Sequence, residues 1–391
     1  MSHLYTSASG REVTHGSSSS LDTFRLCRRK FKLSRIDGWK QKARKASLEI
    51  GKCLESALQF YHDNGLKPGD FEDEWKRLWL KFEPIELVYT DQEKDWKSVY
   101  TLGSEWARLY QILLPTFPIR NPKFQLQFLK KLWPGSDLDD LEFMGYVDIL
   151  STLADGSRCV IDVKTAKTRL SIAPGMMALD GQLRKYAWLS GITNVGFLNF
   201  VKCDPNSFRK GVDITLLEDC GDWKAGQELV ILGAVDPKEG DERQYFNVAT
   251  EATVQLMDEE LDQISGKGSK EKKEQVYQSY AARSLVNTVP RDFITKAKLQ
   301  MVCGTIPEGD LPEIGQQIGQ DMLGIKSAFE NNAFFKDGGV RFPNAICSWC
   351  EMLPICNRND ARRDETLVQI KPAPAAKETD WLDELEAEEG E

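Results

Sequence analysis

A chain of 391 residues, 41% hydrophobic and 28% charged, is long enough for one large domain or two ordinary ones and has the composition of a soluble globular protein. No apolar run approaches the ~20 residues that cross a bilayer, and the opening MSHLYTSASGREVTHGSSSS lacks the apolar segment of a secretory signal, so a membrane is not an expected partner. The nine cysteines then point to metal binding or reactive thiols rather than disulfides, and to a cytoplasm, that of the host if the protein is viral.

The net charge of −9 argues against a nucleic-acid partner only until its distribution is read. Residues 378–391 carry eight acids and no base, which leaves the rest of the chain near −1. Residues 25–45 hold ten Lys or Arg against one acid, Asp37. Such a segment, beginning with Arg25, Arg28, Arg29 and Lys30, is an electrostatic footprint for phosphates, or else a solvated basic helix face.

In chain order, residues 1–16 read as flexible. Ser17 to Ser20 then cap a short amphipathic helix whose apolar positions include Leu21, Phe24 and Phe31. Leu48 to Tyr61 is a strong helical pattern, and Phe71 to Phe117 holds Trp and Leu at the spacing of two more helices. Glu55 falls beside the stripe of Ile50, Leu54, Ala57 and Leu58, where a carboxylate needs a partner, either a cation or a salt bridge. Phe124 to Trp133 reads as a strand.

The stretch Gly145 to Lys164, GYVDILSTLADGSRCVIDVK, reads as a β-hairpin turning at Asp155-Gly156. With Ala154-Asp155-Gly156 as the loop and Gly156 left-handed, Asp148 sits opposite Asp162, and Lys164 shares their face. Facing carboxylates repel, so a divalent cation and the lysine ammonium are the natural bridges. Two solvated strand carboxylates are the plainer alternative. Gly181 to Ser190 follows as a helix that places Gln182 and Tyr186 on one face, and Val195 to Lys202 as a buried strand.

Residues 203–240 read as loop-rich. Ala249 to Ile264, Glu271 to Leu285 and Asp310 to Phe335 read as helices. The order of elements predicts an α/β core with helices packed on a mixed sheet. Cys347, Cys350 and Cys356 form a C-x2-C-x5-C run. Three thiolates fall one short of a four-coordinate metal site, and Cys27 could be the fourth; spacing alone does not separate iron–sulfur from zinc. Residues 361–391 read as a linker and a disordered acidic tail, in which Trp381 and Leu385 could anchor a protein partner or simply aid solubility.

Together these pieces resemble the RecB-like branch of the PD-(D/E)XK nuclease superfamily, and more narrowly its iron–sulfur members, the CRISPR-associated RecB-like exonucleases and the AddB nuclease domain. The resemblance runs in order from SSSSLDTFRLCRRKFKLSRI, with Cys27 at the place of a first cluster cysteine. It continues through GYVD with Asp148, IDVK with Asp162 and Lys164, and the Q-x-x-x-Y helix of Gln182 and Tyr186, to Cys347, Cys350 and Cys356. Where the family often has a histidine four residues after a glycine, this chain has Glu55 after Gly51. The resemblance implies a restriction-endonuclease-like core over residues 17–360, with helical insertions and a C-terminal cysteine-cluster segment. It implies hydrolysis of DNA, most simply as an exonuclease in recombination, repair, or CRISPR or phage DNA processing. Asp148, Asp162 and Glu55 would hold Mg²⁺ or Mn²⁺, with Lys164, Gln182 and Tyr186 assisting. A [4Fe–4S] cluster on the four cysteines would tie together the two ends of a loop of about 320 residues. The alternatives are a catalytically inactive DNA-binding or adaptor protein on the same fold, and a zinc-stabilised interaction protein.

Overall fold

The computed structural model describes residues 3–91, 93–171, 175–235, 243–264, 269–336 and 346–370. A mixed six-stranded sheet forms its centre. In chain order its strands are β1 (His15–Ser17), β2 (Ile119–Lys131), β3 (Glu142–Leu153), β4 (Arg158–Ala166), β5 (Asn194–Val201) and β6 (Lys298–Thr305). Strands β2, β3 and β4 are joined antiparallel, β4 and β5 are parallel, and β6 runs antiparallel on β5.

The β3–β4 hairpin has the expected register, from Ile149 opposite Ile161 to Thr152 opposite Arg158. Gly156 closes its turn at φ +86°, a left-handed conformation that glycine adopts without penalty. One edge of β3 pairs with β2 along its whole length. The other edge is divided: β4 takes Ile149 to Thr152, and β1 takes Glu142 to Met144 in parallel. Gly145 to Asp148 therefore have no ladder partner on that edge. The hairpin splays open there, at the step where Asp148 and Asp162 would have faced each other.

Helices cover both faces. On one side lie α2 (Ala46–Asp63), α3 (Asp70–Leu80) and α4 (Trp96–Leu113), whose Leu54, Trp75 and Trp106 pack with Ile149, Ile161 and Leu198 of the sheet. On the other lie α1 (Ser18–Leu26), α5 (Gly181–Ser190) and α6 (Leu311–Glu330), with Phe24, Leu183 and Met322 against Phe143 and Phe197. Burying such apolar stripes on both faces of a sheet is the main source of stability in an α/β layer structure. Among the described residues no helix is long and apolar enough to cross a membrane.

Three expectations are corrected. The segment expected to be flexible over residues 1–16 is ordered from residue 3: Tyr5–Thr6 pairs with Glu12–Val13, Leu4 is fully buried, and β1 joins the central sheet. The loop-rich reading of 203–240 misses a second, antiparallel five-stranded sheet, in the order Val286–Pro290, Tyr245–Ala249, Glu228–Val235, Asp213–Leu216, Ile294–Thr295. It has its own core of Ile214, Leu229, Ile231, Phe246 and Val289. The last strand of the central sheet, β6, also had no sequence assignment. The linker expected from residue 361 does not begin there: Asp360–Thr366 is helical and Leu367–Gln369 pairs with Trp39–Gln41, while Pro372 and the acidic tail with Trp381 and Leu385 lie outside the described residues.

Candidate active site

Site geometry begins with α5. Asp180 caps this helix, its Oδ1 accepting from the backbone N–H groups of Gln182 (2.9 Å) and Leu183 (2.8 Å). Buried Lys185 fixes the helix to α1 by donating to Asp22 Oδ1 (2.5 Å) and Ser18 Oγ (3.1 Å). Gly145 allows the close approach of α5 to β3, since a Cβ there would lie 2.8 Å from Leu189 Cδ2.

The Gln182 amide then joins three groups. Its Nε2 donates to Asp162 Oδ1 (2.7 Å) and to the Tyr186 hydroxyl (2.8 Å), and its Oε1 accepts from Lys164 Nζ (2.8 Å). These contacts use both amide hydrogens and fix which way the amide faces. Lys164 Nζ is also 2.5 Å from Asp162 Oδ2. That contact is an ion pair without hydrogen-bond alignment, because Oδ2 is buried and has no hydrogen-bond partner.

Asp148 Oδ2 accepts from the Val163 backbone N–H (2.8 Å), so a side chain takes a β4 amide where the ladder has ended. Glu55, on α2, accepts through Oε2 from Gln125 Nε2 (3.0 Å). Gln125 stands in β2 between the pairs Phe124–Ile149 and Leu126–Val147, at φ +48°. A non-glycine residue in the left-handed region carries strain and is held there by its surroundings.

The three carboxyls share one electrostatic situation. Burial, then the Asp162 charge, raises Glu55 to about 7. Burial, then the Glu55 charge, raises Asp148 to about 6. Burial, then the Asp148 charge, raises Asp162 to about 7. Burial also lifts the Tyr186 hydroxyl, with Asp148 and Asp162 adding to it. Each acid is thus destabilised as an anion by low polarity and by its neighbours, a condition that a cation would relieve. The all-oxygen donor set suits Mg²⁺ or Mn²⁺, and the buried Asp162 Oδ2 is already met by a cation, the Lys164 ammonium. Among the described residues no group of three or more His, Cys, Asp or Glu, whether acids or cysteines, is placed so that it could hold a metal ion. The three acids are neighbours through their charges, with Lys164 drawn onto Asp162.

The cysteines are also brought into one region. Cys347 lies in the turn Ile346–Trp349, and Cys356 ends the helical turn Leu353–Cys356. Cys356 interacts electrostatically with Cys27 and Cys347, and Cys350 with Cys356. Burial raises Cys356, while Lys336 and Arg29 oppose it and favour its thiolate. Pairing of Trp39–Gln41 with Leu367–Gln369 joins the same two parts of the chain.

The basic residues expected to meet nucleic acid are used unevenly. Arg25 pairs with Asp321 of α6, and Lys30 with Glu351 (3.0 Å). Both cations therefore have an acidic partner within the chain. Arg28 lies 5.5 Å from the Phe24 ring centroid, and Arg29 has a buried Nε with no hydrogen-bond partner.

Two positioning residues escaped the sequence reading. Asp180 carried a signal, since an aspartate directly before a helical run is an N-cap pattern. Gln125 carried none: nothing in KFQLQFLKK marks one strand residue as left-handed.

No curated protein matches the sequence. Among the solved structures that match, one described as "Crystal structure of SSO0001" is similar at 13% identity and a TM-score of 0.21, over 48% of this chain and 63% of its own, less than two thirds of that structure's length. The profile of the PD-(D/E)XK nuclease superfamily matches residues 15–357, from the first strand of the central sheet through Cys356 and over every group in the carboxylate site, and the chain belongs to that superfamily.

Proposed function

We infer that the chain is a Mg²⁺- or Mn²⁺-dependent deoxyribonuclease that works as an exonuclease on single-stranded or end-frayed DNA, in recombination, repair, or CRISPR or phage DNA processing. The observation that carries this reading is the Asp162–Lys164–Gln182–Tyr186 network beside Asp148 and Glu55. The order of its motifs, similar to that of RecB-like exonucleases, supports the finer reading.

Asp148, Asp162 and Glu55 would hold the divalent ion. Bound there, it would supply positive charge to polarise the scissile phosphate and lower the cost of forming hydroxide from water. Lys164 brings a second positive charge, aimed by Asp162 and Gln182, to the developing charge on phosphate. Gln182 holds the ammonium in place, Tyr186 fixes the Gln182 amide, and Asp180 anchors the start of the helix that carries both. A nuclease that had lost its chemistry would have no need of so connected a set around a fully buried Asp162 and the half-buried Asp148 and Glu55 that repel it.

The direct test uses DNA labelled at either end. The purified chain with Mg²⁺ or Mn²⁺ is expected to shorten it progressively from one end, and chelation is expected to stop the reaction. No degradation by folded protein with either metal would leave the inactive DNA-binding reading in its place.

Cys27, Cys347, Cys350 and Cys356 would hold a [4Fe–4S] cluster. The cluster would tie the N-terminal basic segment to the C-terminal segment and would take no part in hydrolysis. Protein purified without oxygen should be brown, with an absorbance shoulder at about 400 nm that Cys356→Ser removes. A colourless protein that binds zinc through these thiols would overturn the assignment.

A further inference from the structure

A cavity of about 810 Å³ opens beside the cysteine segment and the start of α2. Six cations line it, among them Arg35, Lys40, Arg44 and Lys45, against two carboxylates, Glu49 and Glu351. Both acids already have a lysine: Glu49 is 3.4 Å from Lys52, and Glu351 is 3.0 Å from Lys30. The net charge of the lining is therefore strongly positive. Helix α2 starts here with Lys45 at its N-cap and no side-chain cap, so its first backbone N–H groups add to the positive end of the helix. Trp39 supplies an aromatic ring on the wall.

The cavity lies on the same helix as the carboxylate site. Leu48, Lys52 and Glu55 follow one another at i, i+4 and i+7 along one stripe of α2. The first two line the cavity, and the third belongs to the site. Seven helical residues span about 10 Å. A strand whose phosphate sits among the carboxylates would reach these cations within a few nucleotides.

We propose that this cavity binds the phosphates of single-stranded DNA, holding the strand that continues beyond the carboxylate site. Its volume suits a small number of nucleotides of one strand, being in the range of ordinary ligand pockets of about 300–1,000 Å³. A positive groove with an aromatic wall is the usual pairing for sequence-independent single-strand binding. The inference takes its ligand class from the nuclease reading but does not need cleavage to occur.

The test measures binding without cleavage. Full-length protein carrying Asp162→Asn, in buffer free of divalent ions, is titrated with fluorescein-labelled oligothymidylate over a range of salt concentrations. Adding Lys40→Gln and Lys45→Gln is expected to weaken binding about tenfold near 0.1 M salt. It should also flatten the log–log salt slope by about 1.4, since each of two phosphates left without its lysine takes about 0.7 from the slope. Lys40→Arg with Lys45→Arg should restore both. Both lysines are exposed, so thermal stability should not change. An unchanged slope, or an equal loss of affinity for a blunt duplex, overturns the proposal. DNA degradation by wild type with an unchanged slope would sink the cavity and leave the nuclease standing. Cavity-dependent binding with no degradation by wild type would do the reverse.

Discussion

Asp162→Asn is expected to lower metal-dependent DNA cleavage by about 10³-fold or more, because it removes a proposed ligand of the ion that would stabilise the developing charge, while leaving the fold intact. The two outcomes come from the same geometry. Asp162 is fully buried, and its Oδ1 accepts from Gln182. An asparagine oxygen keeps that bond, so the Gln182 network is preserved. The Oδ2 position has no hydrogen bond to lose, only the ion pair with Lys164. The Lys164 side chain is 39% exposed, so its ammonium can be rehydrated once the charge is gone. The substitution also removes the charge that ranks second, after burial, in raising Glu55. Metal-free thermal stability at pH 8 is therefore expected to equal or exceed that of wild type. Cleavage at the wild-type rate would remove Asp162 from the chemistry, and a protein that no longer folds would make its role structural. Calorimetry beside the cleavage assay separates these cases.

The same residues show what was legible in the sequence. The hairpin register followed from turn chemistry alone, because Asp155-Gly156 permits few loops and alternation decides which residues share a face. Helix α5 runs from Gly181 to Ser190 as its sequence pattern indicates, although its Asp180 cap was not read from that pattern. Glu55 stood out as a carboxylate beside an apolar stripe. The sequence could not reveal that the hairpin separates at Asp148, because that depends on β1 taking the other part of the β3 edge from more than a hundred residues away. Nor could it reveal the second sheet, whose short strands are spread over residues 213–295 and draw their stability from one another rather than from local pattern. The basic segment was legible as charge but not as direction. Arg25 and Lys30 pair with Asp321 and Glu351, and Lys30 shares the open cavity with the later cations Arg35, Lys40, Arg44 and Lys45.

The second large effect is a stabilisation by Mg²⁺ that grows with pH. All three site carboxyls titrate higher in the folded protein than in an unfolded chain: Glu55 and Asp162 at about 7, Asp148 at about 6. Between about pH 4 and 7 the unfolded chain therefore binds fewer of their protons, and their contribution makes the metal-free fold less stable as pH rises through that window. Half-buried His62, bonded to the Tyr110 hydroxyl at 2.8 Å and lowered by desolvation to about 4, acts in the opposite sense below about pH 6.5. The bare stability curve therefore mixes both effects. The increment produced by metal does not, since His62 titrates alike with and without it. A divalent ion binds only the deprotonated acids and must displace their protons at low pH. At pH 5 saturating Mg²⁺ is expected to raise the melting temperature little. At pH 8 the acids are already ionised at the fold's expense, and the gain should reach a few kcal/mol, roughly 4 °C for a chain of this length, as for a ligand held well above its dissociation constant. In Asp162→Asn the increment should shrink at every pH. An equal increment at pH 5 and pH 8, or one that survives loss of Asp162, would mean that the ion binds elsewhere and that the buried acids are held by protons and by Lys164 alone.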